Sequence, residues 1–155
     1  MQNFPYLEQI NGGWVWNFPK SLNMATQVCD FWEIKSPEKI CIKDFTDVDL
    51  PVLYSYKDLR KFSDSLAFEL RNRGVGKGDR VGVLLSQEIG CAASHIAIWK
   101  LGAISIPLFK LFGPEALATR LNDANAKYTI TDEEGSENLL PPEFDRLIFN
   151  NIVLK

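Results

Sequence analysis

Residues 79–131 decide the fold, and they read DRVGVLLSQEIGCAASHIAIWKLGAISIPLFKLFGPEALATRLNDANAKYTIT. The continuous apolar run VGVLLS is typical of a buried parallel strand. A helix, apolar on nearly all sides, is expected over 89–101, with a second buried strand over 103–108. Pro114 begins another helix, and 127–131 form a third strand. Strand, helix, strand, helix, strand predicts an α/β fold with a parallel sheet and flanking helices.

The preceding residues predict two helices and a hairpin. A helix is expected to begin at Ser21 as N-cap and to end near Pro37. Its core face is formed by Leu22, Ala25, Cys29 and Trp32. The β-prone runs 39–45 and 51–56 predict a hairpin around the turn TDVDLP.

The second helix has the clearest boundaries. Ser55 and Asp58 form a capping-box pattern, and Gly74 suits the left-handed position that ends a helix. Its apolar face consists of Leu59, Phe62, Leu66 and Leu70. Residues 1–20 are interpreted as an irregular N-terminal arm and 21–155 as one α/β subdomain. The acidic stretch 132–138 is expected to be a loop, followed by a β-prone run at 146–149.

Composition excludes several classes of function. The chain has 155 residues, 46% of them hydrophobic, and a formal charge of −3. We therefore expect no nucleic-acid partner, because that partner requires a clustered basic surface. No segment predicts a signal peptide or a membrane span. Cys29, Cys41 and Cys91 are odd in number and far apart, which indicates a reduced, cytoplasmic protein.

The cluster Gly74, Gly76 and Gly78 has the composition of a phosphate-binding loop but the wrong position. Such a loop follows a strand and precedes a helix, so that helix amides face the anion. Here a helix precedes the glycines and a strand follows them. The cluster is therefore interpreted as a structural turn, with Gly74 as helix cap and Asp79 leading into the strand.

Ligands of open α/β sheets bind where strands pass into helices, which points to two other turns. In the first, Ser86 is a candidate helix cap and Glu88 would repel a phosphate. In the second, residues 109–113, Lys110 could meet an anion. A solvated loop lysine is the more common situation, and we expect that of Lys110.

The remaining candidates for chemistry are His95 and an acidic run. His95 is the only histidine and lies in an apolar helix, so an interior or subunit-facing side chain is expected. No cysteine or carboxylate lies three or four residues from it to complete a helical metal pair. Asp132, Glu133 and Glu134 could bind a divalent cation, but a charge run is usually a solvated face. No catalytic, cofactor-binding or metal-binding residue is assigned.

Residues 23–131 resemble the opening segment of the adenylate-forming acyl-CoA synthetases, most closely the acetyl- and medium-chain branch. The resemblance is carried by CDFW at 29–32, YKDL at 56–59, GVGKGDRV at 74–81, KLGA at 100–103, IPL at 106–108 and FGPEALATRLNDANAKYTIT at 112–131. It implies the N-terminal subdomain of that fold. In the full-length relative, a carboxylate attacks the α-phosphate of Mg-ATP to give an acyl-adenylate, and coenzyme A then displaces AMP.

The chain departs from that family after Thr131, where no Ser/Thr/Gly-rich loop ending in Pro-Lys-Gly occurs. We therefore expect an inactive N-terminal fragment of an acyl-CoA ligase that binds no cofactor itself. ATP, Mg and CoA are implied for the full-length relative, with a small carboxylate as substrate. The expected partner is the rest of the parent enzyme, with self-association of the fragment. The alternatives are a stand-alone binding or interaction module and a flavodoxin-like nucleotide binder, against which the missing phosphate loop argues.

Overall fold

A computed structural model describes residues 4–46, 50–126, 128–139 and 145–149. The strands are β1 (Tyr6–Ile10), β2 (Gly13–Asn17), β3 (Ile40–Asp44), β4 (Val52–Ser55), β5 (Arg80–Leu84), β6 (Ile104–Pro107), β7 (Tyr128–Thr131) and β8 (Asp145–Ile148). The α-helices are α1 (Phe31–Lys35), α2 (Tyr56–Asn72), α3 (Ile89–Lys100), α4 (Pro114–Asp123) and α5 (Glu133–Glu137), and a π-helical segment, Thr26–Asp30, leads into α1.

The centre of the fold is a four-stranded sheet in the order β6-β5-β7-β8, with every pair parallel. Helices α3 and α4 connect β5 to β6 and β6 to β7, as βαβ crossovers require. The predicted α/β fold with a parallel sheet and flanking helices is confirmed. The β-prone run near 146–149 is also confirmed as β8.

Core packing covers both faces of this sheet. Val81 and Val83 of β5 point into the larger apolar cluster, which includes residues of α2 and α3. Leu84 points the other way, into a second cluster with Leu117 and Leu121 of α4. This alternation follows from the period of two along a strand. Gly82 lies under α4, where a Cβ would approach the Leu121 Cδ2 atom to 2.9 Å.

The expectation that residues 103–108 form a buried strand is wrong for β6. This strand pairs only with β5 among the described residues, and Ile104 is 50% exposed. The edge strand β6 has an apolar composition similar to that of the central strand β5. Position within the sheet depends on long-range pairing, which composition does not specify.

The first helix differs from its prediction at the N-terminus. It begins at Met24, and the Asn23 side chain accepts a hydrogen bond from the Ala25 amide at 2.9 Å. Ser21 is therefore not the cap, and Leu22 is exposed rather than part of the core. Ala25 and Cys29 are fully buried, as the spacing predicted.

Helix α2 agrees with its predicted boundaries. The Asp58 amide donates to the Ser55 Oγ atom at 3.2 Å, and the Ser55 amide donates to the Asp58 carboxylate at 2.9 Å. This reciprocal pair is the predicted capping box. Gly74 has φ +83°, and the Val75 amide donates back to the Leu70 carbonyl. The helix therefore ends in the left-handed turn that the glycine predicted.

Three loop predictions have different outcomes. Strands β3 and β4 form the expected antiparallel hairpin, while Asp47–Asp49 of its turn lie outside the described residues. The N-terminal arm is not irregular, because β1 and β2 form a second antiparallel hairpin. The acidic stretch is not a loop, because Asp132 caps the short helix α5.

Candidate functional site

The carboxyl ends of β5, β6 and β7 bring together Ser86, Lys110 and Asp132. The Lys110 Nζ atom lies 3.0 Å from Asp132 Oδ2 and 2.5 Å from Glu134 Oε2. It also lies 3.4 Å from the Ser86 Oγ atom. Open α/β folds bind ligands at this edge of the sheet. We call these four residues the carboxyl-edge cluster.

Local structure fixes the acidic side of this cluster. The Asp132 Oδ1 atom accepts a hydrogen bond from the Gly135 amide at 2.7 Å, so one oxygen caps α5 while the other faces Lys110. The Thr131 hydroxyl donates to the Leu84 carbonyl at 3.0 Å and holds the ends of β7 and β5 together. A Cβ at Gly135 would lie 2.4 Å from the Thr131 Oγ1 atom. The turn therefore requires glycine at this position.

Lys110 is not the solvated loop lysine that was expected. Its side chain is only 19% exposed. The hydrogen bond to Glu134 chiefly raises the pKa of Lys110, and the contact with Asp132 adds to it. The ammonium group therefore stays charged and occupied by two carboxylates. A lysine held in this way joins strand ends and is not available to an incoming anion.

A cavity of about 240 Å³ adjoins the cluster. Its lining includes Ser86, Glu88, Gly90, Asp132 and the Phe149 ring. Two carboxylates on this wall make it unsuitable for a triphosphate, since like charges repel in a partly desolvated site. The carboxyl-edge residues therefore do not fit ATP. Ser86 does not cap α3 as expected, because Glu88 occupies the N-cap position and makes no side-chain capping bond.

The glycine turn is structural, as predicted. The Gly76 amide donates to the Asp79 carboxylate at 2.8 Å, and the Gly78 amide donates to the Gly102 carbonyl at 3.1 Å. Both amides are therefore already hydrogen-bonded within the protein. Asp79 does more than lead into β5, because it closes the turn.

His95 lies at the surface of the core and not within it. The imidazole is half-buried and stacks on the Trp99 ring with centroids 5.9 Å apart. Burial lowers the pKa of His95, so the neutral form is favoured. Within the described ranges, no group of three His, Cys, Asp or Glu side chains could hold a metal ion. Asp132 and Glu134 of the acidic run pair with Lys110 instead.

The thiols of Cys29, Cys41 and Cys91 are free. Burial raises the pKa of Cys29 to about 11, so this thiol is protonated at neutral pH. Across the part of the chain that the structure describes, no helix combines the length and apolar character needed to cross a bilayer.

Sequence reasoning missed the pairing of Lys110 with Asp132 and Glu134. It noted the lysine and the acidic run separately, although both follow strands of one predicted parallel sheet. The carboxyl ends of parallel strands share an edge of the sheet. Opposite charges that follow two such strands, Lys110 and the acidic run, could therefore have been predicted to form an ion pair. Sequence reasoning could not have given the rotation of Glu134 toward the lysine, which depends on the unpredicted helix α5.

The residues match known proteins along most of the chain. A model of the family described as "AMP-binding enzyme" matches residues 32–150. The acetyl-coenzyme A synthetase of Coprinopsis cinerea is 36% identical over 129 residues, which are 81% of this chain and 19% of that protein. A human protein, acetyl-coenzyme A synthetase 2-like, mitochondrial, is 31% identical over 121 residues, or 77% of this chain and 18% of its own length.

Solved structures share the fold at lower identity. The acyl-CoA synthetase of Brucella canis superimposes with a TM-score of 0.75 at 23% identity, over 83% of this chain and 24% of that one. The N-terminal subdomain of Klebsiella oxytoca NpsA, in complex with 3-hydroxybenzoyl-AMSN, gives 0.72 at 19% identity, over 83% and 31%.

The chain spans about a fifth of the length of the curated relatives it matches. The part it does span contains the parallel sheet, the capping box and the glycine turn on which the resemblance rests. Sequence, fold and family match agree, and the chain therefore belongs to the family of AMP-binding enzymes.

Proposed function

We propose that this chain is the N-terminal part of an acyl-CoA synthetase of the acetyl- or medium-chain kind. The whole enzyme would activate a small carboxylate with ATP and transfer the acyl group to coenzyme A. The observation that carries the proposal is the 36% identity to an acetyl-coenzyme A synthetase over 81% of this chain and only 19% of that protein. The catalytic groups of such an enzyme would then belong to the rest of the polypeptide.

The role proposed for the chain is to scaffold that enzyme and to help wall its acyl pocket. Two apolar clusters pack on the two faces of the sheet. In the carboxyl-edge cluster, the ion pair of Lys110 with Asp132 links the end of β6 to the end of β7. The same cluster supports the absence of nucleotide binding by this part alone, because the charge of Lys110 is offset by Asp132 and Glu134, and Glu88 adds a further carboxylate to the adjoining cavity. ATP, Mg and CoA would be held by other parts of the enzyme.

The remaining assignments belong to the same proposal. Residues 1–20 would be an arm and 21–155 the α/β subdomain, in a protein located in the cytoplasm. The partner of this part is the rest of the parent enzyme, and the isolated part would self-associate through apolar surfaces. Exposed aromatic residues on β1 and β2, Tyr6, Trp14 and Trp16, support that expectation.

The test is carboxylate-dependent exchange of pyrophosphate into ATP, measured on two proteins. One is the 155-residue chain, and the other is a chimera in which residues 32–150 replace the matching segment of the Coprinopsis acetyl-coenzyme A synthetase. We expect no exchange from the chain and acetate-dependent exchange from the chimera. Exchange by the chain alone would disprove the scaffold role. A folded chimera without exchange would show that the segment does not serve such an enzyme.

The second candidate is a stand-alone interaction module, in which the exposed hairpin would bind a different protein and not a second copy of this chain. That candidate predicts a monodisperse chain and a chimera that folds without activity. A flavodoxin-like nucleotide binder is disfavoured by the acidic wall beside Ser86. Isothermal titration calorimetry of the chain with ATP tests this candidate directly, and saturable binding would support a nucleotide binder.

A further inference from the structure

Among the described residues, β6 pairs only on its β5 side, so its outer side is a sheet edge. The Ile104 amide donates inward to the Asp79 carbonyl at 2.7 Å, and the Leu108 amide donates inward to the Val83 carbonyl at 2.9 Å. Since backbone groups alternate in direction along a strand, those of Ser105 point outward. Pro107 has no N–H, so pairing on this side would centre on Ser105.

An apolar groove of about 600 Å³ runs beside this edge. Its walls include Met24, His95, Trp99, Ile104 and Pro107, none of which is ionised at neutral pH given the lowered pKa of His95. Met24 and Ile104 are both exposed. An occupant of this groove is therefore an extended, uncharged segment whose backbone reaches Ser105 and whose apolar side chains cover Ile104 and Trp99.

The lengths of the related proteins indicate which segment that is. The NpsA N-terminal subdomain has the same fold, yet this chain covers only 31% of it. Most of such a subdomain therefore lies outside the residues that match this chain. An edge strand presents a row of backbone N–H and C=O groups that natural proteins pair or cover, so the edge at β6 is where a larger subdomain would continue.

We propose that the β6 groove binds a β-strand from the part of the parent polypeptide that lies beyond these 155 residues. The inference rests on the proposed function. The added strand pairs with Ser105 and covers the apolar wall between Met24 and Ile104. The occupant is thus a segment of the same enzyme and not a second copy of this chain.

The experiment measures maleimide labelling of Ile104→Cys, read by mass spectrometry of the peptide that contains it. The variant is made in the 155-residue chain and in a chimera with the Coprinopsis acetyl-coenzyme A synthetase whose inserted segment spans residues 23–150, so that Met24 of the groove is retained. Lys61→Cys, at an exposed charged position of α2, is the control in both proteins. We expect labelling at 104 to be at least about tenfold slower in the chimera, because the side chains of the added strand would cover this half-exposed position, and labelling at 61 to be equal in both.

The outcomes separate this inference from the proposed function. An active chimera that labels at 104 as fast as the chain alone would overturn the groove assignment and leave the function intact. Protection at 104 in a chimera without exchange activity would support the groove and reject the function. Slow labelling of the 155-residue chain that becomes faster on dilution would show a second copy in the groove, which also overturns the proposal.

Discussion

The parallel-sheet region, β5–β8 with α2–α4, and the N-terminal hairpin, β1–β2, are both rich in apolar residues, but only the first buries them. Leu66, Leu70 and Ile98 are fully buried in the sheet region. Every residue of β1 and nearly every residue of β2 is exposed, and Trp14 is 66% exposed. The two regions therefore differ in packing and not in hydrophobicity.

This difference separates two kinds of apolar sequence. The sheet region has layers on both faces, so its side chains meet one another across the layers. A two-stranded hairpin has no second layer, and such hairpins are marginal in water. The rings of Phe4 and Phe31 pack edge to face, with centroids 4.7 Å apart, and this contact connects the arm to α1. It leaves Trp14 and Trp16 exposed. The hairpin thus has the composition of a structure that is completed by another surface.

The largest expected effect on the free energy of unfolding separates two leucine-to-alanine substitutions, one in each region. Leu66→Ala should lower the free energy of unfolding by about 2–5 kcal/mol, because it opens a cavity in a fully buried position. Leu7→Ala, at a position 44% exposed, should change it by less than about 0.5 kcal/mol. Urea unfolding followed by circular dichroism measures both. Equal losses would show that the hairpin belongs to the same cooperative core.

A second pair compares added methyl groups. Gly135→Ala should cost about 1–3 kcal/mol, because the new Cβ would meet the Thr131 Oγ1 atom at 2.4 Å and the Leu84 carbonyl at 3.2 Å. Gly13→Ala in the hairpin meets only the Ile10 carbonyl at 3.7 Å and should change stability by less than about 0.5 kcal/mol. Thermal unfolding of the two variants distinguishes them. A neutral Gly135→Ala would mean that the carboxyl edge relaxes freely.

A third pair uses glycines with the same backbone conformation. Gly74 has φ +83° at the end of α2, and Gly12 has φ +82° in the hairpin turn. Valine disfavours this region, so Gly74→Val should cost about 1–2 kcal/mol of global stability without altering any ligand affinity. Gly12→Val should strain only the hairpin and leave the urea midpoint unchanged. A changed ligand affinity at unchanged stability for Gly74→Val would contradict the structural-turn assignment.

Sequence predicted the sheet region better than the hairpin or the site, for physical reasons. Residues 81–86 and 89–101 are apolar almost throughout, which fits a strand and a helix that are both buried within a layered fold, and the Ser55–Asp58 and Gly74 signals are local. The position of β6 at an edge and the pairing of Lys110 with Glu134 depend on contacts distant in sequence. The cap is Asn23 and not Ser21, because the helix begins at Met24, two residues later than the apolar spacing indicated.

The smallest expected effect compares one hydrogen-bonded carboxylate in each region. The hydroxyl and amide of Ser55 donate to Asp58 at 2.6 and 2.9 Å, and these bonds lower the pKa of the Asp58 carboxyl. Glu8 of the hairpin accepts from the Asn17 side chain at 2.9 Å on an exposed surface. Asp58→Ala should therefore cost about 1 kcal/mol at pH 7, the usual value of a cap, whereas Asn17→Ala should cost nothing measurable.

The pH dependence of this pair follows from the direction of the shift. Because the folded chain holds Asp58 ionised at a pH where the unfolded chain protonates it, the stabilisation is complete above an unfolded pKa of about 4. It is lost as the pH falls through the lower folded pKa. The difference between wild type and Asp58→Ala should therefore shrink as the pH falls from about 5 through the lowered folded pKa of Asp58. A difference that stays constant over this range would show that Asp58 acts through packing and not through its charge.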